Sequence, residues 1–134
     1  DAVEMLLLTP VGLRSLAPGE TGYTARYEGD SRVRDSVYHQ GTVWAWLLGP
    51  FITAYLRVNG ASEKGREQAA KWLEAFNGHL NDVGLSQVSE VFDGDAPYHP
   101  GGCIAQAWSV AELLRATPED VYGIEPVKQM ATTA

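Results

Sequence analysis

Cysteine is nearly absent from this sequence. Cys103 is the only one among 134 residues, so no disulfide can form within the chain. A chain without disulfides is typical of a reducing compartment, and we therefore expect a cytoplasmic protein. A single thiol with no activating neighbour in the sequence is weak evidence for a cysteine nucleophile, and a buried or loop thiol is the favoured interpretation.

Basic residues and long hydrophobic runs are also scarce. Ten Lys and Arg stand against 17 Asp and Glu, which gives a net charge of -7 at pH 7. Binding to a phosphate backbone needs clustered positive charge, so we expect no nucleic-acid partner. The longest apolar run, 43–56, contains Gly49 and Pro50 and is too short to span a bilayer, so we expect no membrane partner either.

Motifs for metals, phosphates and acyl transfer are missing. The three histidines lie far apart and show no metal-ligand spacing. No glycine-rich phosphate loop and no GxSxG nucleophile motif occurs. We therefore expect no metal and no other cofactor.

The start of the chain indicates a fragment. DAVEMLLLTP has no initiator Met and lacks the basic region of a signal peptide. Residues 3–8 are typical of the last turns of a helix, which Pro10 would end. We therefore expect the chain to be a piece of a longer protein.

Hydrophobic periodicity predicts an all-α fold. Trp44, Leu48, Phe51 and Tyr55 recur at helical spacing, and two similar stripes follow. No alternating pattern predicts a sheet-based core. The predicted elements are an irregular loop over 9–41 and helices over about 42–58, 62–77 and 103–116. The predicted boundary signals are N-caps at Thr42 and Ser62, a kink or break at Pro50, C-terminal caps at Asn59-Gly60 and Gly78, and a stop at Pro118.

An acidic loop before the third helix carries the most suggestive chemistry. Glu90, Asp93 and Asp95 lie within six residues, and two carboxyl groups are what glycoside hydrolysis requires. A solvated turn or a cation site would show the same residues. The aromatic side chains Trp44 and Trp108 are typical of sugar-stacking surfaces, but their helical spacing is equally typical of a core.

Two long segments resemble the amylo-α-1,6-glucosidase domain of glycogen debranching enzymes. They are YHQGTVWAWLLGPFITAYLR (38–57) and SEVFDGDAPYHPGGCIAQAWSVAELLRA (89–116). LTPVGLRSLAP (8–18) and RDSVYHQGTVW (34–44) fit the same region, so the resemblance covers roughly residues 5–117. Ala45 stands where that family usually has Pro between two Trp residues.

The resemblance implies a partial (α/α)6 toroid, in which helical hairpins gather their long loops on one face. It also implies inverting hydrolysis of the α-1,6-linked glucose at a branch point of glycogen or limit dextrin. Glu90 matches the catalytic general base. The positions implied to bind substrate are Tyr38, His39, Gln40, Trp44, Asp93, Asp95, Gln106 and Trp108.

The family's general acid belongs to a segment upstream of this one. We therefore expect the whole of 1–134 to be one C-terminal segment of the glucosidase domain, inactive alone. Its natural partners would be a glucan and the N-terminal part of the toroid. Without that part, the apolar faces of the helices would favour self-association. The alternatives are another six-hairpin glycosidase, and a non-catalytic helical module that binds carbohydrate or protein.

Overall fold

A computed structural model describes residues 2–126, and these form a helix-rich chain with a small antiparallel sheet. The α-helices are α1 (Ala2–Leu6), α2 (Ser31–Val37), α3 (Leu48–Val58), α4 (Glu63–Glu74), α5 (Asn77–Asp82) and α6 (Ala107–Ala116). A 3-10 turn spans Ala45–Leu47, and a π-helical turn spans Thr117–Val121. The strands are β1 (Leu8–Thr9), β2 (Gly12–Arg14), β3 (Val43–Trp44), β4 (Val91–Phe92) and β5 (Pro100–Gly101). No helix within the described residues is long and apolar enough to cross a membrane.

The sheet corrects the all-α prediction, of which only the helix-rich part is confirmed. Its five strands are antiparallel and follow the order of the chain from β1 to β5. Each strand has only two or three residues. An alternating pattern needs about four residues to be recognised, so sequence periodicity does not reveal strands of this length.

The predicted helix 42–58 begins six residues later than expected. Val43 and Trp44 form β3 instead, where Val43 lies opposite Phe92 and Trp44 lies opposite Val91. β-branched and aromatic residues pack well on a pleated surface, which favours the strand locally. Thr42 is not an N-cap, because its hydroxyl donates to the carbonyl of Val37.

Pro50 is the third residue of α3, and the segment before it is a 3-10 turn. The N–H that proline lacks is one that a first helical turn leaves without an intrahelical partner, so proline fits there. The predicted break in the first half of the helix is confirmed. At the other end, the Ala61 N–H donates to the carbonyl of Leu56 at 2.7 Å, and Gly60 has a φ of 71°. A glycine in the left-handed conformation thus ends α3, as predicted at Asn59-Gly60.

The predicted helix 62–77 is divided into α4 and α5. Ser62 is the N-cap of α4, as predicted, since its hydroxyl accepts from the Gly65 N–H at 3.2 Å. Gly78 is not a C-terminal cap, because it lies inside α5.

The next predicted helix begins at Ala107 instead of residue 103, and its end widens into the π-helical turn that contains Pro118. The tail beyond residue 126 lies outside the described residues.

The core lies between the sheet and helices α3 and α4. Phe76 and Phe92 are essentially fully buried, with ring centroids 6.4 Å apart. Burying a side chain of this size contributes about 1.5–3 kcal/mol. The other buried members of this cluster are Val11, Leu13, Val43, Ala45, Leu48, Ile52, Leu56, Ala69 and Val88. Because β3 and β4 belong to this core, it fixes the position of the residues directly before β4.

The predicted irregular loop 9–41 contains β2 and α2, and its first residue, Thr9, belongs to β1. Asp30 is the N-cap of α2, and its carboxylate accepts from the Val33 N–H at 3.0 Å. β2 pairs with β3, which ties the start of the loop to the sheet. α2 ends just before Tyr38, whose phenol reaches Glu90 next to β4.

Candidate functional site

Glu90 directly precedes β4, and protein donors hold both of its carboxylate oxygens. The phenol of Tyr38 donates to Oε1 in a short hydrogen bond. The backbone N–H of Cys103 donates to Oε2 at 2.8 Å, while the Glu90 N–H donates to the Cys103 carbonyl at 2.8 Å. Donors to both oxygens hold the carboxylate in one orientation, which a general base needs in order to meet its water.

Two glycines make this arrangement sterically possible. A Cβ on Gly102 would lie 2.5 Å from Glu90 Oε2, and Gly102 has a φ of +68°. A Cβ on Gly101 would lie 2.8 Å from the ring of Tyr27. The Glu90 side chain therefore packs directly against bare backbone, and position 102 favours glycine for both conformation and space.

Tyr38 connects Glu90 to an aromatic cluster. Its ring makes an edge contact with Trp44 at 4.6 Å, and the Trp44 indole N–H donates to the Tyr38 carbonyl at 3.2 Å. Tyr27 lies 5.5 Å from the Tyr38 ring on another side. Burial, and then the hydrogen bond to Glu90, raise the pKa of Tyr38 above its usual value. The phenol therefore keeps its proton and remains a donor at neutral pH.

An open cleft of about 600 Å³ lies next to this cluster. The rings of His39 and Trp44 stack in it with centroids 5.3 Å apart and an angle of 5°. Trp108 faces it from α6 and is half exposed. The lining residues are Ser15, His39, Trp44, Trp46, Leu47 and Trp108. Trp44 itself is buried, so the accessible rings are those of His39 and Trp108. Aromatic rings at the rim of a concave space are suited to stack on a flat, partly apolar ligand such as a sugar ring.

The carboxylates of Asp93 and Asp95, which follow β4, are bonded to residues that precede α2. Asp93 is 5% exposed, and its carboxylate accepts from Arg26 and from the Tyr27 N–H, both at 2.8 Å. Asp95 accepts from the Tyr23 hydroxyl at 2.7 Å and lies 3.5 Å from Arg14. These contacts join segment 14–27 to the loop that follows β4.

The chain matches the family described as amylo-alpha-1,6-glucosidase over residues 1–115. That match covers most of its 134 residues.

The chain belongs to the amylo-alpha-1,6-glucosidase family.

The family is one of glycoside hydrolases, and the resemblance inferred from sequence is confirmed. The chain is also 27% identical over 128 residues to a glycogen debranching enzyme of Saccharomyces cerevisiae (strain ATCC 204508 / S288c). This similarity covers 81% of the chain and 8% of the yeast protein, so the chain spans about a twelfth of that relative's length.

The residues predicted to bind substrate do not all gather at one place in this chain. His39, Trp44 and Trp108 line the cleft, whereas Tyr38 lies between the cleft and Glu90. Asp95 is half exposed and retains a surface for ligand, while Asp93 is nearly enclosed by its protein partners. The geometry favours a structural role for Asp93, and its contact with substrate stays a prediction.

Two further predicted residues, Gln40 and Gln106, show contacts with the protein itself. Gln106 is the N-cap of α6, and its side-chain oxygen accepts from the Ala107 N–H at 3.0 Å. Gln40 is exposed, and its carbonyl accepts from the Thr24 N–H at 2.6 Å. Neither lines the aromatic cleft, so contact with substrate stays a prediction for both.

Sequence reasoning missed the residues that fasten the loop before α2. Arg14, Tyr23 and Arg26 reach acidic partners at least 67 positions away in the chain. Arg14 also donates to the carbonyl of Gly94 at 2.7 Å. Tyrosines in a long irregular loop were the available signal, because they indicate an ordered segment. Their partners are not deducible from spacing.

Within residues 2–126, no group of three or more His, Cys, Asp and Glu side chains is placed to hold a metal ion.

His79 makes the stability of this site sensitive to mild acid. Its Nε2 accepts from the Ser89 N–H at 3.2 Å, next to Glu90, and its ring packs edge-on against Phe92. Burial lowers the pKa of His79 below 6.5. The folded state therefore resists protonation, so the free energy of unfolding is at its full value above pH 6.5 and falls as pH drops below it.

We expect His79→Gln to flatten that decline, since glutamine offers a similarly placed acceptor that does not titrate. Urea unfolding at a series of pH values from 7.5 to ~4.5 measures the effect. His99→Gln, at an exposed position, is the control and should keep the wild-type slope. An unchanged slope in His79→Gln would show that other groups cause the acid sensitivity.

Proposed function

We propose that this chain supplies the general base, Glu90, of an inverting α-1,6-glucosidase that releases branch-point glucose from glycogen or limit dextrin. The observation that carries the proposal is the Glu90 carboxylate, held by Tyr38 and Cys103 beside an aromatic cleft. Membership of the amylo-alpha-1,6-glucosidase family supports the reaction class. The yeast relative is a glycogen debranching enzyme, which supports the choice of glucan.

In the proposed reaction, Glu90 accepts a proton from a water molecule. The oxygen of that water attacks the anomeric carbon while the bond to the leaving oxygen breaks. A general acid gives its proton to the leaving oxygen, so the glucan is released as an alcohol and the anomeric configuration is inverted. Each oxygen of Glu90 accepts one protein hydrogen bond, which leaves lone pairs free to orient the water.

The general acid is proposed to come from another part of the enzyme. In inverting enzymes the two carboxyl groups lie ~6.5–9.5 Å apart on opposite sides of the reacting carbon. Asp93 and Asp95 already have cationic and hydroxyl partners and follow Glu90 in the same loop. We therefore propose that this chain alone is inactive, and that it completes an (α/α)6 toroid with the rest of the enzyme.

Binding of glucose is assigned to the aromatic cleft. His39, Trp44 and Trp108 would stack on the pyranose, and Asp95 would bind a sugar hydroxyl. Exposed apolar side chains outside the cleft, among them Ile104, Val58 and Leu114, would pack against the remaining toroid or, without it, against another copy of the chain. The free, exposed Cys103 supports the cytoplasm as its location.

The decisive experiment offers the full-length enzyme three substrates: limit dextrin, trehalose and a mannosyl oligosaccharide. We expect glucose to be released from limit dextrin alone, and proton NMR to show the β-anomer first because the reaction inverts an α-linkage. Initial release of α-glucose would contradict inversion. Preference for trehalose or the mannosyl substrate would favour another six-hairpin glycosidase.

A non-catalytic carbohydrate-binding module is the second candidate. The specific observation in its favour is the occupation of Asp93 and Asp95 by protein partners, which leaves a single carboxylate beside an aromatic cleft. A binding module would retain its affinity for glucan in the full-length protein while showing no turnover. Glucan hydrolysis that depends on Glu90 would exclude this alternative.

A further inference from the structure

We propose that Tyr38 is a positioning residue that acts on the reaction through Glu90, and not a wall of the glucose pocket. This inference rests on the proposed function of Glu90 as a base. It differs from the sequence prediction, in which Tyr38 contacts substrate. The geometry that supports it is the direct hydrogen bond from the Tyr38 phenol to Glu90 Oε1, together with the position of the ring outside the residues that line the cleft.

Contacts to both its ring and its backbone hold Tyr38 in place. The Trp44 ring packs against the Tyr38 ring, with centroids 4.6 Å apart, and its indole N–H donates to the Tyr38 carbonyl. The Tyr27 ring lies on another side of Tyr38, with ring centroids 5.5 Å apart, and the Tyr27 N–H donates to Asp93. The backbone of Tyr38 forms the C-cap of α2. The phenol is therefore directed at Glu90 by contacts made before any ligand binds.

Glu90 needs this second donor because the Cys103 N–H fixes only one of its oxygens. Rotation about the last side-chain bond moves both oxygens together, so with Cys103 as the only donor it breaks one hydrogen bond. With Tyr38 bonded to Oε1 as well, the same rotation breaks two hydrogen bonds, and the carboxylate plane is held more firmly. A base that is displaced by about 1 Å loses on the order of 10²-fold in rate, so removal of the phenol should affect turnover more than binding.

The charged and titratable groups around Tyr38 support a permanent donor. Burial has the largest effect in raising the pKa of Tyr38, and Glu90, Tyr27 and Asp35 raise it further. The His39 ring lies 5.2 Å away on the cleft side. A phenol in these surroundings does not lose its proton at any pH at which a glycosidase works, so it donates to Glu90 throughout.

The kinetic test compares Tyr38→Phe with wild type in the full-length enzyme. We expect kcat to fall by about 10- to 100-fold with KM changed less than about twofold, because the ring and its packing remain. Tyr122→Phe, at an exposed position that does not line the cleft, is the matched control and should behave as wild type. A large rise in KM with unchanged kcat would show that Tyr38 binds sugar. Unchanged values of both would overturn the proposal.

A second measurement does not depend on activity. A crystal structure of the full-length Tyr38→Phe variant is compared with that of the wild type. We expect the Glu90 carboxylate to leave its wild-type orientation, because the hydrogen bond to Oε1 is lost while the packing of the ring remains. If the carboxylate keeps its orientation although Glu90→Gln abolishes hydrolysis, the pairing is wrong and the function of Glu90 stands. If the carboxylate moves although hydrolysis persists in Glu90→Gln, the pairing stands and the proposed function is wrong.

Discussion

Glu90→Gln in the full-length enzyme should abolish detectable glucose release, with a loss in kcat of at least about 10²–10⁴-fold. The substitution keeps the size of the side chain and an oxygen for the Tyr38 phenol. It removes the negative charge that takes a proton from water. Glucose release from limit dextrin measures the effect, and an unchanged urea midpoint shows that the fold is retained.

The matched control for this experiment is Glu74→Gln. Glu74 is an exposed carboxylate at the end of α4, so the same chemical change there should leave kcat and KM unchanged. Near-normal turnover in Glu90→Gln would contradict the assignment of the base. Loss of turnover together with loss of folding would mean that Glu90 supports the structure of the 90–103 loop.

Gly12→Ala should have the largest effect on stability, lowering the free energy of unfolding by about 3–5 kcal/mol. Gly12 is buried in β2 with a φ of +135°. A Cβ there would lie 2.4 Å from the Trp44 carbonyl oxygen and 2.8 Å from the Ala45 Cα, both of which are backbone atoms. Because β2 pairs with β3, the clash would push the two strands apart. β3 contains Trp44, so the lining of the cleft would be displaced as well.

Gly19→Ala separates the two causes of this loss. Gly19 also has a positive φ, +92°, but a Cβ there meets no atom within 4 Å. We expect a cost of about 1–2 kcal/mol, from backbone conformation alone. The two variants are compared by urea unfolding. Equal losses at Gly12 and Gly19 would show that close strand approach contributes nothing at Gly12.

The pattern of the sequence predicted helical segments better than their limits. Ser62 and Asn59-Gly60 were recognised because capping depends on residues only a few positions apart. The start of α3 was misplaced, since Val43 and Trp44 leave the helical pattern only to pair with strands that are distant in the chain. Such pairing overrides local periodicity and leaves no local signal of its own.

At the candidate site, the residue types were predictable and their partners were not. A glutamate in an acidic loop close to aromatics indicated sugar chemistry, and the resemblance singled out Glu90. That Asp93 is enclosed by Arg26, and that Tyr38 is directed at Glu90, follows from contacts across 67 and 52 positions. No spacing rule connects residues so far apart.

The sequence by itself determined the family, the absence of an intrachain disulfide, and the stretches of chain in which the three longest helices, α3, α4 and α6, lie. These properties depend on residue identity and on neighbours within a few turns. Only the tertiary structure decided that a five-stranded sheet aligns Trp44 with Val91, next to Glu90, and that the two oxygens of Glu90 have different donors. The physical reason is that a catalytic group is oriented by hydrogen bonds and packing between distant segments, which form only when the core has brought those segments together.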